Sequence, residues 1–151
     1  MMKYTKYQQG TSITIEGLKK HLRMADNDFT QDAELAILLK SATLYVQEYF
    51  NTALVECNVL QEQPQAGKDF MIFLSNQTDI QVKDYNGNAV AFERSGDFLA
   101  LSEAKAVKII YSCTPIDDVE FYAPIVYQIA GANYDGQPEA IKEILSKYPV
   151  Y

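Results

Sequence analysis

The stretch QDAELAILLKSATLYVQEYF, residues 31–50, decides the reading of this chain. Leu35, Leu38, Leu39, Ala42, Val46 and Tyr49 recur at three- and four-residue spacing, the period of a helix with one apolar face. That stripe is expected in the core. Lys40, Ser41, Gln47 and Glu48 fall on the far side. Ile37 and Leu44 also project from that polar side. An apolar pair opposite a core stripe needs a second cover, either another part of the same chain or a subunit contact.

Upstream, residues 1–11 read as a flexible N-terminal arm. A short helix over about 15–23 follows, with Thr14 as its N-cap because a hydroxyl there can accept from an orphan backbone N–H. Glu16 suits the positive end of that helix and Arg23 the negative end. The loop Asp26-Asn27-Asp28-Phe29-Thr30 has acids at alternate positions, like a calcium loop. Gln31 stands where such a loop needs Gly, and Ile37 where it needs a bidentate Glu. Capping of the long helix by Asp28 or Thr30 is the better reading.

Downstream, Asn51-Thr52 breaks the helix, and residues 53–113 read as strands. Ala53 to Gln61 is extended, 61–68 with Pro64 and Gly67 is a loop, and Phe70 to Leu74 is a short buried strand. Ile80 and Val82 alternate with polar neighbours. Asn86-Gly87 is the strongest hairpin signal, with 89–93 returning. Ser95-Gly96-Asp97 turns again, and 98–101 and 106–111 complete a meander. The last third is helical over about 118–134 and 138–147. Asp117 to Glu120 resembles a capping box with Asp117 as N-cap. Residues 121–134 carry no charge, so that helix requires burial on nearly every side or an oligomer contact. Pro124 either begins it or kinks it. Asp135-Gly136 stops it, and Ile141, Ile144 and Leu145 of the last helix point inward.

The expected fold class is α+β. A helical bundle (short helix, long helix, two C-terminal helices) carries a small antiparallel β-meander in its middle, and residues 12–151 form one domain. The 151 residues are 48% hydrophobic, enough for a single core. No apolar run reaches the length of a membrane helix, and the first residues lack the apolar region of a signal peptide. The chain thus reads as a soluble intracellular domain.

Net charge is −7, from 13 basic and 20 acidic residues. Residues 1–24 hold Lys3, Lys6, Lys19, Lys20 and Arg23 against Glu16 alone. Such an acidic chain is poorly suited to gripping phosphate backbones. The imbalance reads as solubility, or as attraction between a basic end and an acidic neighbour in an assembly.

No catalytic constellation stands out, so the chain is not expected to be an enzyme, and no cofactor or metal is expected. His21 is the one histidine and reads as a solvated side chain. Cys57 and Cys113 read as buried free thiols. There is no nucleophile elbow, phosphate loop or dinucleotide fingerprint. Eleven tyrosines without a tryptophan fit an interaction surface better than a nucleic-acid platform in so acidic a chain. The candidate interface residues are Ile37, Leu44, Phe121, Tyr122, Tyr127, Tyr148 and Tyr151.

Several local strings resemble the phage head-tail connector (adaptor) family, often labelled phage DNA-packaging proteins. That family opens with a Thr-capped short helix ending in His-Leu-Arg, similar to residues 13–23 here. An acidic loop follows, like 25–30, then a long helix with an aromatic end, like 32–50. A V-x-I-x-Y strand is similar to Val107 to Tyr111. An apolar helix reaching a Tyr is similar to 125–134, and a closing L-x-x-Y to Leu145 to Tyr148. The chain departs from the family at Asn51-Thr52-Ala53, where members often carry Gly-Arg, and at Asp135-Gly136-Gln137.

The resemblance implies a structural virion protein of the neck, present in the bacterial host cytoplasm before assembly. It would form a ring of copies of itself, bind the portal protein and a neck or tail-completion protein, and let DNA pass without specific binding. Two alternatives remain: a DNA-packaging accessory protein that binds DNA or the packaging machinery, and a small enzyme with unrecognised residues.

Overall fold

A computed structural model describes residues 2–8, 10, 12–25, 27–74 and 76–148. The elements in chain order are β1 (Met2–Gln8), α1 (Ile15–His21), α2 (Asp32–Phe50), β2 (Glu56–Met71), β3 (Gln77–Asp84), β4 (Glu93–Ser95), β5 (Phe98–Cys113), α3 (Val119–Tyr134) and α4 (Ala140–Ser146). The fold is mixed α+β. The chain divides into two compact units where one domain was expected. The strands and residues 51–115 make the first unit; the four helices belong to the second.

In the first unit all strands pair antiparallel, in the order β1-β2-β5-β3, with β4 also on β5. This is not a meander. The last strand lies between β2 and β3, so these two, adjacent in sequence, are not neighbours in the sheet. Residues 2–8, expected as part of a flexible arm, form an edge strand on β2. Tyr4 and Tyr7 supply partly buried apolar surface there, and Lys3 pairs with Glu62 at 3.1 Å.

The expected loop 61–68 lies inside β2. Pro64 and Gly67 interrupt the pairing with β5 only as register shifts between Gln63 and Gly67 and between Gly67 and Asp69. Such bulges let a strand carry breaker residues without ending. Phe70, Ile72 and Leu74 are buried while Met71 is exposed, so the apolar run alternates rather than being buried on both faces. Val59, Val82, Leu99, Val107, Ile109 and Tyr111 centre the unit's core.

The hairpin at Asn86-Gly87 forms, with Gly87 at φ +86°, a left-handed conformation that glycine adopts without strain. Its return is slight: a bridge of Lys83 with Ala89 and a hydrogen bond from Val90 N–H to the Val82 carbonyl at 2.9 Å. A polar knot closes the other hairpin. Gln77 donates to Asp97 Oδ1 at 3.0 Å and to the Leu74 carbonyl, and accepts from Arg94 at 2.7 Å.

In the second unit α2 packs on α3, α1 packs on both, and α4 packs on α3. Leu35, Leu39, Ala42 and Val46 are buried as the periodicity predicts. Three assignments change. Tyr49 is exposed, Leu38 is half-buried, and Gln47, expected on the polar side, is fully buried. Thr43 is also buried, its hydroxyl donating to the Leu39 carbonyl at 2.7 Å, a bond that lets a polar residue sit inside a helix face. Asn51 ends α2 at φ +53°, a left-handed position that Asn tolerates.

Thr14 caps α1 as expected, accepting from Gly17 N–H at 3.1 Å. Asp28 accepts from the Thr30 backbone and hydroxyl at 3.1 and 2.6 Å, forming a turn ahead of α2. Those two hydrogen bonds, hydroxyl first, hold the Asp28 carboxyl below its ordinary range. The N-cap of α3 is Asp118 rather than Asp117, and its side chain makes no capping bond. Pro124 lies inside α3, not at its start. In α4 only Leu145 is buried, with Ile141 and Ile144 half-buried.

Candidate functional site

The second unit leaves apolar surface uncovered along α2. Ile37, Ser41, Tyr45 and Tyr49 stand four residues apart and form one inclined row on the helix surface. Ile37 is 70% exposed, Tyr45 46% and Tyr49 37%. Leu44, beside this row, is half-buried. At the C-terminal end of α2 the row runs into a chain of aromatic rings. Tyr49 meets Phe50 edge-on at 4.9 Å, Phe50 meets Tyr122 at 5.2 Å, and Tyr122 meets Phe121 at 5.2 Å. Edge-to-face rings at such spacing attract one another. Phe121 ends the chain 67% exposed. Ile116, Asp118, Glu120, Phe121 and Tyr122 line a hollow there.

This surface is greasy, ring-rich and acid-edged. Covering one large apolar side chain on a partner contributes about 1.5–3 kcal/mol, so Ile37 and Phe121 alone would make a substantial anchor. Among the described residues no group of His, Cys, Asp and Glu could hold a metal ion. What the arrangement offers is apolar adhesion.

The structure sorts the expected interface residues. Ile37 and Phe121 are open, and Leu44 and Tyr122 are half-covered. Tyr127 is committed inside the unit: its hydroxyl accepts from Thr14 N–H at 3.1 Å. Gly17 makes room for it, since a Cβ there would stand 2.1 Å from that hydroxyl. Tyr148 is half-buried, its hydroxyl 3.4 Å from the Gln128 amide that donates to it. Tyr151 lies outside the described residues. Tyr45, Tyr49 and Phe50 were not anticipated. The four-residue spacing from Ile37 to Tyr49 was the available signal, obscured because Tyr49 also fits the core stripe.

The basic cluster of residues 1–24 is divided. Lys3 and Lys6 lie on β1 in the first unit, while Lys19, Lys20 and Arg23 lie in the second. Lys19 is not available to an acidic neighbour. It is 3% exposed, 2.7 Å from Asp32 Oδ1, with its ammonium over the Phe29 ring at 4.8 Å. It therefore fastens α1 to α2. His21 is exposed, its ring centroid 6.4 Å from that of Tyr127.

In the first unit, Cys57 and Cys113 are buried free thiols, as expected, and they are direct register partners across β2 and β5. The Cys57 thiol, hydrogen-bonded to Cys113, and then burial push the Cys113 thiol far above its ordinary range. Burial likewise raises the Tyr111 phenol. Its hydroxyl donates to Gln61 Oε1 at 3.2 Å, and Gln61 donates to the Met71 carbonyl at 2.7 Å. These are interior, structural contacts.

No protein-family model matches this chain, and no curated protein does. Solved structures do. One similar chain comes from the virion of a native gene transfer agent particle: 15% identity, TM-score 0.62, covering 100% of this chain and 96% of that one. Another comes from the neck of an empty gene transfer agent particle computed with C6 symmetry, at 14% identity and TM-score 0.63 over the same shares. A third comes from the neck of the native particle computed with C12 symmetry, with the same identity, score and coverage. At such identity the likeness establishes the fold, end to end.

Proposed function

We propose that this chain is a structural neck protein of a phage-like particle, a head-tail connector that assembles as a ring beneath the portal and joins the DNA-filled head to the tail. The observation that carries this reading is the end-to-end likeness to chains from particle necks, one of them computed with C12 symmetry. Two features of the chain agree with it. Residues 13–23 and 32–50 resemble connectors in sequence, a likeness that does not depend on the fold. The exposed row on α2 and the rings at α3 supply apolar surface in search of cover.

In this reading Ile37, Leu44, Phe121 and Tyr122 meet a different patch on the next copy, the head-to-tail contact that closes a ring. The net charge of −7 favours passage of DNA without adhesion.

Deletion of the gene from a particle-producing strain tests the proposal. The expected result is filled heads without tails, restored by the wild-type gene and not by Ile37→Asp. Normal tailed particles in the deletion strain would overturn it.

A further inference from the structure

We propose that Cys57 and Cys113 are a dithiol poised to close into a cross-strand disulfide, sealing residues 58–112 into a covalent loop when a small-molecule disulfide oxidises the pair. The two residues stand directly opposite in the antiparallel pairing of β2 with β5. Opposed residues in such a ladder have Cα atoms about 4.5–5.5 Å apart, inside the roughly 4.4–6.8 Å window that a disulfide spans. Both side chains belong to the same buried cluster, so they share a face of the sheet. Next along the ladder, Asn58 and Ser112 also face each other, and their side chains hydrogen-bond at 2.9 Å. The end of the ladder is thus held in register on both faces.

The position of the pair gives the bridge its consequence. The first unit's main segment runs from Asn51 to Pro115, and the cysteines stand just inside its two ends. A bond between them closes that segment at the place where the chain enters and leaves it. Tension along the backbone would then pass through the sulfurs and bypass the intervening strands.

The step balances. One cysteine, as thiolate, attacks the external disulfide and releases one small thiol. The second displaces the other. Two S–H bonds are lost and one protein S–S bond forms, and two electrons and two protons leave with the two small thiols. The thiol-to-thiol hydrogen bond and burial that raise Cys113 keep that thiol protonated, and both thiols are buried, so closure waits on opening of the strand ends and is slow beside an exposed thiol.

The full chain is incubated with oxidised glutathione, alone and in urea below the unfolding transition, then denatured and alkylated. The expected product is lighter than the reduced chain by about 2 Da and takes up no alkylating agent. Proteolysis within 58–112 leaves its fragments joined until reductant is added, and the urea midpoint rises. Cys57→Ser, or Cys57→Ala if the serine variant does not fold, instead retains one alkylatable thiol or carries one glutathione. Two alkylatable thiols after oxidation in both conditions would refute the pairing. So would two glutathione adducts, or a chain-to-chain dimer in place of the lighter monomer.

Discussion

Along β5, Leu99, Leu101, Val107, Ile109, Tyr111 and Cys113 turn inward one after another and every one is buried. Along α2, Leu35, Leu39, Ala42 and Val46 turn inward, yet Ile37, Tyr45 and Tyr49 stay in solvent. The strand unit exposes apolar groups mainly at its turns. Met71 and Phe98 are opposed at one end of the β2–β5 ladder, and Tyr85, in the turn after β3, lies under the Lys108 ammonium at 5.0 Å. The helix unit exposes a continuous row. Period-two alternation leaves a sheet face either wholly in or wholly out, whereas a helix can carry a second apolar stripe without disturbing the first. A protein that must fold alone and then adhere can use the helix for the second task.

The largest expected effect tests this division. Ile37→Asp and Phe121→Asp should abolish ring assembly while moving the unfolding free energy by no more than about 0.5 kcal/mol, the usual range for exposed positions. Sedimentation with portal-containing particles reads the first, and a urea melt the second. If either variant unfolds, its side chain belongs to the core and the distinction between the two stripes fails.

The helix unit was the more legible one. Thr14 capping, the α2 core stripe and the stop at Asn51 are local, and local chemistry decides them. The sheet order was hidden because nothing near β5 in sequence announces that it will lie between β2 and β3. Pro64 and Gly67 read as a loop because bulges that absorb them depend on the partner strand. Gln61 is polar, yet it is fully buried, and its partners Met71 and Tyr111 lie ten and fifty residues away. The surface was half legible. Ile37 and Phe121 announced themselves, but Tyr127 could not be separated from them until α1 was seen bonding its hydroxyl.

Within the helix unit, the Lys19–Asp32 pair is the next most sensitive point. Asp32→Asn leaves a lysine that is 3% exposed without its countercharge and should cost about 3 kcal/mol, while Lys19→Met, which removes the buried charge itself, should cost less. Equal losses would mean that the pair acts only through packing. Gly17→Ala should cost about 2 kcal/mol, because its new Cβ meets the Tyr127 hydroxyl and α1 must shift off α3. In the strand unit, Tyr111→Phe should cost about 1 kcal/mol by leaving Gln61 Oε1 without its donor. The comparison predicts that none of these four positions changes the adhesive row, so each variant still assembles at temperatures where it is folded.

The smallest effect concerns the turn after β3, where the strand unit meets solvent. Asp84 accepts from Asn88 N–H and Asn86 N–H, both at 2.9 Å. The Asn88 bond is the largest influence holding its carboxyl below the ordinary range. A carboxyl depressed in the folded state adds stability above the pKa it has when unfolded, and that stability is lost as pH falls through the lower, folded value. The hairpin should therefore keep its geometry through the pH range where free aspartates protonate and loosen only below it. Amide chemical shifts of Asn86 and Asn88 should titrate together, with a midpoint under that of an unstructured Asp. Asp84→Asn should erase that titration and leave assembly intact, since the turn carries none of the α2 row. A midpoint at or above the ordinary value would mean that the two amides do not select the carboxylate, and that the turn is held by Gly87 and the backbone alone.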